Sequence, residues 1–133
     1  MGVYLYKGVN ILAWSLKFNS ELKIIELIYS GLVSPSELND AFVAASSLLK
    51  KEQTSLALAD CSKMVGGHSI TDLYFLIILY ESNDLRGMKE AIILPSLKAT
   101  IEEVKFYEMA CLNMGYTVKI FSNVEDATTW LIE

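Results

Sequence analysis

The chain has 133 residues and a mass of 14.9 kDa, enough for one domain with a core of its own and too little for two. Its composition is 53% hydrophobic and 20% charged, with a mean hydropathy of +0.36, which excludes disorder, coiled coil and collagen. Sixteen acids against eleven bases leave a net charge of -5, and no basic cluster exceeds Lys50-Lys51, so nucleic acid is not an expected partner.

The N-terminal stretch has no basic region followed by a long apolar one and does not read as a signal peptide. Gly2 lacks the Ser or Thr that myristoylation needs at position 6, which is Tyr6. The longest apolar run, Leu73 to Tyr80, is far short of the roughly 20 residues of a membrane span. Cys61 and Cys111 lie apart without a disulfide framework and read as buried free thiols, which points to a cytoplasmic location.

Along the chain, residues 1–9 read as an N-terminal extension or an extra strand. Residues 10–18 alternate Leu12, Trp14, Leu16 and Phe18 with smaller or polar groups, the period of a strand buried mainly on one face. Asn19-Ser20 is turn chemistry, and residues 22–29 resume a strand pattern, so the pair is expected to form a hairpin ended by Gly31. Ser34-Pro35-Ser36-Glu37 carries a capping box with proline at the first helical position and opens a helix over 35–52. That helix turns Leu38, Phe42, Ala45, Leu48 and Leu49 inward and Ser46 outward.

A short strand over 55–60 is expected to stop at Asp60. Ser69-Ile70-Thr71-Asp72 starts a second helix, Glu90 to Leu94 forms a buried strand, and Thr100 with Glu103 opens a third helix ended by Gly115. Thr117 to Phe121 is the last strand, and Ser122 with Glu125 caps a final helix. The order ββαβαβαβα requires parallel neighbours joined by crossovers, hence a single-domain α/β fold over 1–133 with a mixed, mostly parallel sheet and helices packed on it.

This order resembles the STAS fold of the anti-sigma factor antagonists, in its SpoIIAA-like branch. The stretches that carry the likeness are Gly31 with Ser34-Pro35-Ser36-Glu37-Leu38, Leu56 to Ser62, and Gly115 to Phe121 followed by Glu125-Asp126-Ala127 and Trp130-Leu131. The resemblance implies a non-catalytic, cytoplasmic bacterial regulator that binds proteins and needs no cofactor. Regulatory members are phosphorylated within an Asp-Ser-Ser-Gly stretch, which falls here on Ser69, Ile70, Thr71 and Asp72. Thr71 takes the phosphorylated place but Asp72 replaces the glycine, and its charge would repel a phosphate. A working switch is not expected.

The candidate chemistry is sparse. Asp60-Cys61-Ser62 sits at the carboxyl end of a parallel strand, where α/β sheets place ligands, yet Asp60 and Ser62 serve equally to hold a turn, and the turn is the preferred reading. His68, the only histidine, can be drawn into a pair with Cys61, but an exposed loop histidine is preferred. Gly66-Gly67 lacks any phosphate-loop spacing and reads as a flexible connection. No metal-ligand spacing is present, and Glu102, Glu103 and Glu108 read as a solvated helix face with Glu103 as a cap.

The most informative segment is helix 69–81. Leu73, Leu76, Ile77 and Tyr80 form one stripe, while Tyr74, Phe75, Ile78 and Leu79 make the opposite side equally apolar. Its cover is its own chain (Val3 to Tyr6 or a neighbouring helix), a partner subunit such as a second copy, or an apolar small molecule. The candidate partner- or ligand-binding residues are therefore Asp60, Ser62, His68, Ser69, Thr71, Tyr74, Phe75 and Ile78. The leading expectation is a regulatory protein-interaction module. The alternative is a small-molecule or lipid carrier of the Sec14-like type, and an enzyme with Cys61 as nucleophile stands third.

Overall fold

A computed structural model of the chain describes residues 3–5, 13–85 and 87–133, the first three by their backbone. Six strands form one sheet in chain order: β1 (Val3–Leu5), β2 (Trp14–Asn19), β3 (Ile24–Leu32), β4 (Leu56–Gly66), β5 (Lys89–Ile93) and β6 (Thr117–Phe121). The helices are α1 (Pro35–Glu52), α2 (Ile70–Ser82), α3 (Lys98–Asn113) and α4 (Val124–Ile132). From β2 onward the order is the one read from the sequence, a SpoIIAA-like α/β arrangement, and β1 adds an edge strand. The predicted start of the second strand at residues 10–12 lies outside the described residues.

β1, β2 and β3 pair antiparallel, and β3 to β6 pair parallel. Three successive crossovers between adjacent strands put α1, α2 and α3 together on one face, over a core that includes Leu16, Ile25, Tyr29, Ala59 and Ile92. The other face carries a smaller core of Ile24, Leu58, Ala91 and Ile93, covered by Ala127 and Leu131 of α4. Each parallel strand thus has both of its faces buried over part of its length, which is why 55–60 and 90–94 read as apolar runs rather than alternations.

Two helix starts match the expectation. Ser34 with Glu37 and Ser69 with Asp72 form complete capping boxes. The other two differ. α3 begins at Lys98 behind Leu97, with no side-chain cap, and Thr100 is buried inside it. α4 is capped by Asn123, which accepts from the Asp126 N–H, one residue later than the expected Ser122. At α3 the core claims Thr100 itself, whereas at α4 Ser122 and Asn123 are both exposed and the Asn123 side chain makes the cap.

β4 does not stop at Asp60 but runs on to Gly66. The register passes from Ile28 opposite Asp60 to Ser30 opposite Lys63, so β4 bulges by one residue. Asp60 Oδ1 accepts the Ser62 N–H at 2.9 Å, which provides for a donor at the bulge. Gly31, expected to end the hairpin, lies inside β3 with a φ of +70° at a second register shift. β6 forms the far edge of the sheet, and there the Ile120 N–H donates to the Glu108 carboxylate of α3 at 2.9 Å. Glu108 is therefore a tie between layers rather than part of a solvated face.

Gly67 is not a flexible link. Its φ is +105°, and a Cβ there would stand 2.7 Å from the Val33 backbone N and 2.8 Å from its O. The Val33 N–H donates to the Gly66 carbonyl at 2.7 Å, so the loops leaving β3 and β4 are pressed together. Gly67→Ala is expected to lower stability by about 2 kcal/mol or more, through steric overlap added to backbone strain. Gly31→Ala has open space around it and should cost only the left-handed backbone penalty, about 1 kcal/mol. Urea midpoints of the two variants, measured side by side, check the order.

Candidate functional site

α2 shows the division read from the sequence. Leu73, Leu76, Ile77 and Tyr80 are buried, while Tyr74, Phe75 and Ile78 are 46%, 60% and 42% exposed. Leu79, expected on the outer side, packs instead against the core from its margin. The N-terminal strand does not cover the outer side: β1 is bonded to β2, across β3 and β4 from β5. Its continuation at Tyr6 lies outside the described residues. On the neighbouring α3, Met109 and Leu112 are 64% and 52% exposed. Tyr74 shares a shallow groove with Phe106, Met109, Ala110, Asn113 and Met114. The exposed apolar side of α2 thus adjoins a second apolar helix face.

At the start of α2, Ser69 and Asp72 are engaged with each other: the Ser69 N–H donates to the Asp72 carboxylate at 2.7 Å and the Ser69 hydroxyl at 2.9 Å. These bonds hold the Asp72 carboxyl below its ordinary range, with the backbone bond the larger cause. Thr71 is exposed beside this ionised group.

Asp60, Cys61 and His68 do not converge. Asp60 follows the β4 alternation with Leu58, toward the α4 face, whereas Cys61 lines the interior on the opposite face together with His68. His68 lies in the loop between β4 and α2 as expected, but its side chain is only 1% exposed, contrary to the expected exposure. Its Nδ1 lies 2.9 Å from the Val33 carbonyl, and its Nε2 lies 3.9 Å from Glu103 Oε2. His68 therefore bridges the β3–α1 loop and α3, and Glu103 serves this contact instead of a cap. Burial is the main cause that pushes the Cys61 thiol far up, and Glu90 and Asp60 add to it. That is the reverse of an activated nucleophile.

The polar heart of the molecule is one that the sequence reading passed over. Glu90, at the start of β5, is 7% exposed and points into the helix-side core. Tyr107 of α3 donates to Glu90 Oε1 at 2.8 Å and Tyr80 of α2 at 3.3 Å. The two phenol oxygens also contact each other. The Tyr80 ring stacks on Phe42 at 5.2 Å and meets Tyr116 edge-on at 5.6 Å. Burial pushes the Glu90 carboxyl up to about 7, against which the two hydroxyls pull only partly. The available signal was an acid at the same register as Ile92 in a strand otherwise buried, with a tyrosine on the inner stripe of each helix above it.

These groups border an interior cavity of about 70 Å³ between the sheet and α1 to α3. Ser46, expected on the outer side of α1, lies one turn after Phe42, is 6% exposed and faces this space. Among the described residues, no cluster of His, Cys, Asp and Glu could hold a metal ion, and no helix is long and apolar enough to cross a membrane.

The architecture is a SpoIIAA-like α/β fold. An uncharacterised protein of SpoIIAA-like fold from Shewanella loihica PV-4 superposes with a TM-score of 0.61, over 90% of this chain and 92% of the other, at 17% identity. The unphosphorylated anti-sigma factor antagonist SpoIIAA superposes with a TM-score of 0.56, over 86% and 92%, at 8% identity. At these identities the likeness is one of fold. No family model and no curated protein matches the chain.

Two outcomes follow from the interior. Glu90 binds its proton more tightly folded than unfolded, so stability is greatest while both states are protonated. It declines as pH rises from about 4.5 to about 7. Glu90→Gln removes this slope, and the variant should gain on the wild type by about 2.5 kcal/mol between pH 5 and pH 8 in parallel urea titrations. Cys61 should alkylate with iodoacetamide at neutral pH only as fast as the protein unfolds, and mass spectrometry after a timed quench measures the rate.

Proposed function

We propose that the protein is a non-catalytic interaction module that docks a protein partner, a second copy of itself included, through the outer face of α2 and the adjoining face of α3. The observation that carries this reading is the exposure of Tyr74, Phe75 and Ile78 on a helix whose other side is fully buried. Contiguous apolar surface of this kind on a small domain marks a contact site. The fold supports the reading by analogy, since the solved anti-sigma factor antagonist shares it. The thiol at Cys61, held protonated, and the separation of Asp60 from His68 leave the third-ranked enzyme reading without its geometry.

A lipid-carrier reading is less well supported. The interior cavity of about 70 Å³ is too small for an acyl chain unless a helix moves outward. Phosphorylation at Thr71 would place a dianion beside the ionised Asp72, so the docking face is read here as constitutive rather than phosphate-switched.

Native mass spectrometry over a dilution series tests the proposal. The expected result is a species at twice 14.9 kDa that Phe75→Glu and Ile78→Glu both abolish while leaving the circular-dichroism spectrum unchanged. A monomer at every concentration would rule out self-association. A photo-crosslinker at position 75 that then captures no protein in the source cells would overturn the module itself.

A further inference from the structure

The interior cavity has an unusual lining. Its wall is mainly aliphatic and aromatic, with Leu27, Phe42, Leu76 and Ile92 among its members. Into it face the Glu90 carboxyl and the Ser46 hydroxyl. Among the described residues Ser46 Oγ is buried with no hydrogen-bond partner, although a helical serine commonly bonds to a carbonyl of its preceding turn. A buried hydroxyl left unbonded in a cavity already furnished with an acceptor is a recognition group without its counterpart. His68, Tyr80 and Tyr107 also line the space, but the two tyrosine hydroxyls are committed to Glu90 and His68 Nδ1 to the Val33 carbonyl, so few polar groups are left for a buried water, which needs two to four.

We propose that this cavity binds a compact, largely aliphatic molecule that carries one hydrogen-bond-donating head, an alcohol or a primary amine. The head bonds to the Glu90 carboxyl or the Ser46 hydroxyl, and the body fills the space between Phe42, Leu76 and Ile92. On the scale where a cavity of about 150 Å³ admits benzene, about 70 Å³ admits about three heavy atoms. Two tyrosine hydroxyls already fix Glu90 Oε1 in place, so the receptor is set before the ligand arrives. The proposal is independent of the docking face, and its failure would leave that reading intact.

The probes are ethanol and ethylamine, titrated into protein labelled at the methionine methyls. Met64 and Met88 line the cavity, whereas Met109 is exposed and reports solvent effects. Saturable methyl shifts at Met64 and Met88, with Met109 unmoved, are expected for at least one probe. The alcohol alone would mark a neutral head, the amine alone a charged one, and both a site that accepts either. Ser46→Ala keeps the space and should weaken binding several-fold, and Ser46→Leu fills it and should weaken binding at least tenfold. Shifts that rise linearly and alike at all three methionines for both probes would overturn the proposal, and this readout needs no variant. An unchanged midpoint in a folded Ser46→Leu protein would overturn it equally.

Discussion

A carboxyl buried beneath three helices constrains the rest of this molecule. Glu90 sits on β5, and its two hydrogen-bond donors come from α2 and α3. Satisfying it fixes how both helices lie against the sheet, because each must present a tyrosine to the same oxygen. The arrangement accounts for the aromatic cluster around Tyr80, which touches α1 through Phe42 and the start of β6 through Tyr116. An isosteric apolar side chain at position 90 would pack as well but would not specify the helix positions.

The same constraint explains the division of labour on α2. Its inner stripe is committed to the core and to Glu90, so the helix cannot rotate to hide Tyr74, Phe75 and Ile78. Their exposure is a consequence of what the other side must do. A helix held only by apolar packing could turn by a fraction of a step at little cost, whereas one pinned by the Tyr80 hydroxyl cannot.

Where local chemistry and burial agreed, the fold was legible in the sequence. The capping boxes at Ser34 and Ser69 and the two-sided apolar pattern of α2 are of this kind. Where they disagreed, burial prevailed. Thr100 carries a capping signature but faces the core, and Asp60 looks like a strand end although its carboxylate in fact sustains a bulge. The interior site was the least legible part. Its members, Ser46, Tyr80, Glu90 and Tyr107, are scattered over three helices and a strand, and only the crossover order brings them together. His68 was misplaced for a similar reason, since its burial comes from contacts with Val33 and Glu103, both far away in sequence.

The contact between Glu108 and β6 bears on how copies of the chain can assemble. An edge strand offers its free amides to any extended segment, and stacking sheet upon sheet from such an edge leads to open-ended growth. The carboxylate on Ile120 occupies one of those amides in the middle of a strand of only five residues. At the opposite edge the described part of the strand is Val3–Leu5. With β6 so poor a template, self-association through the proposed docking face of α2 and α3 would join two identical faces, close on itself and yield a finite particle instead of a fibre.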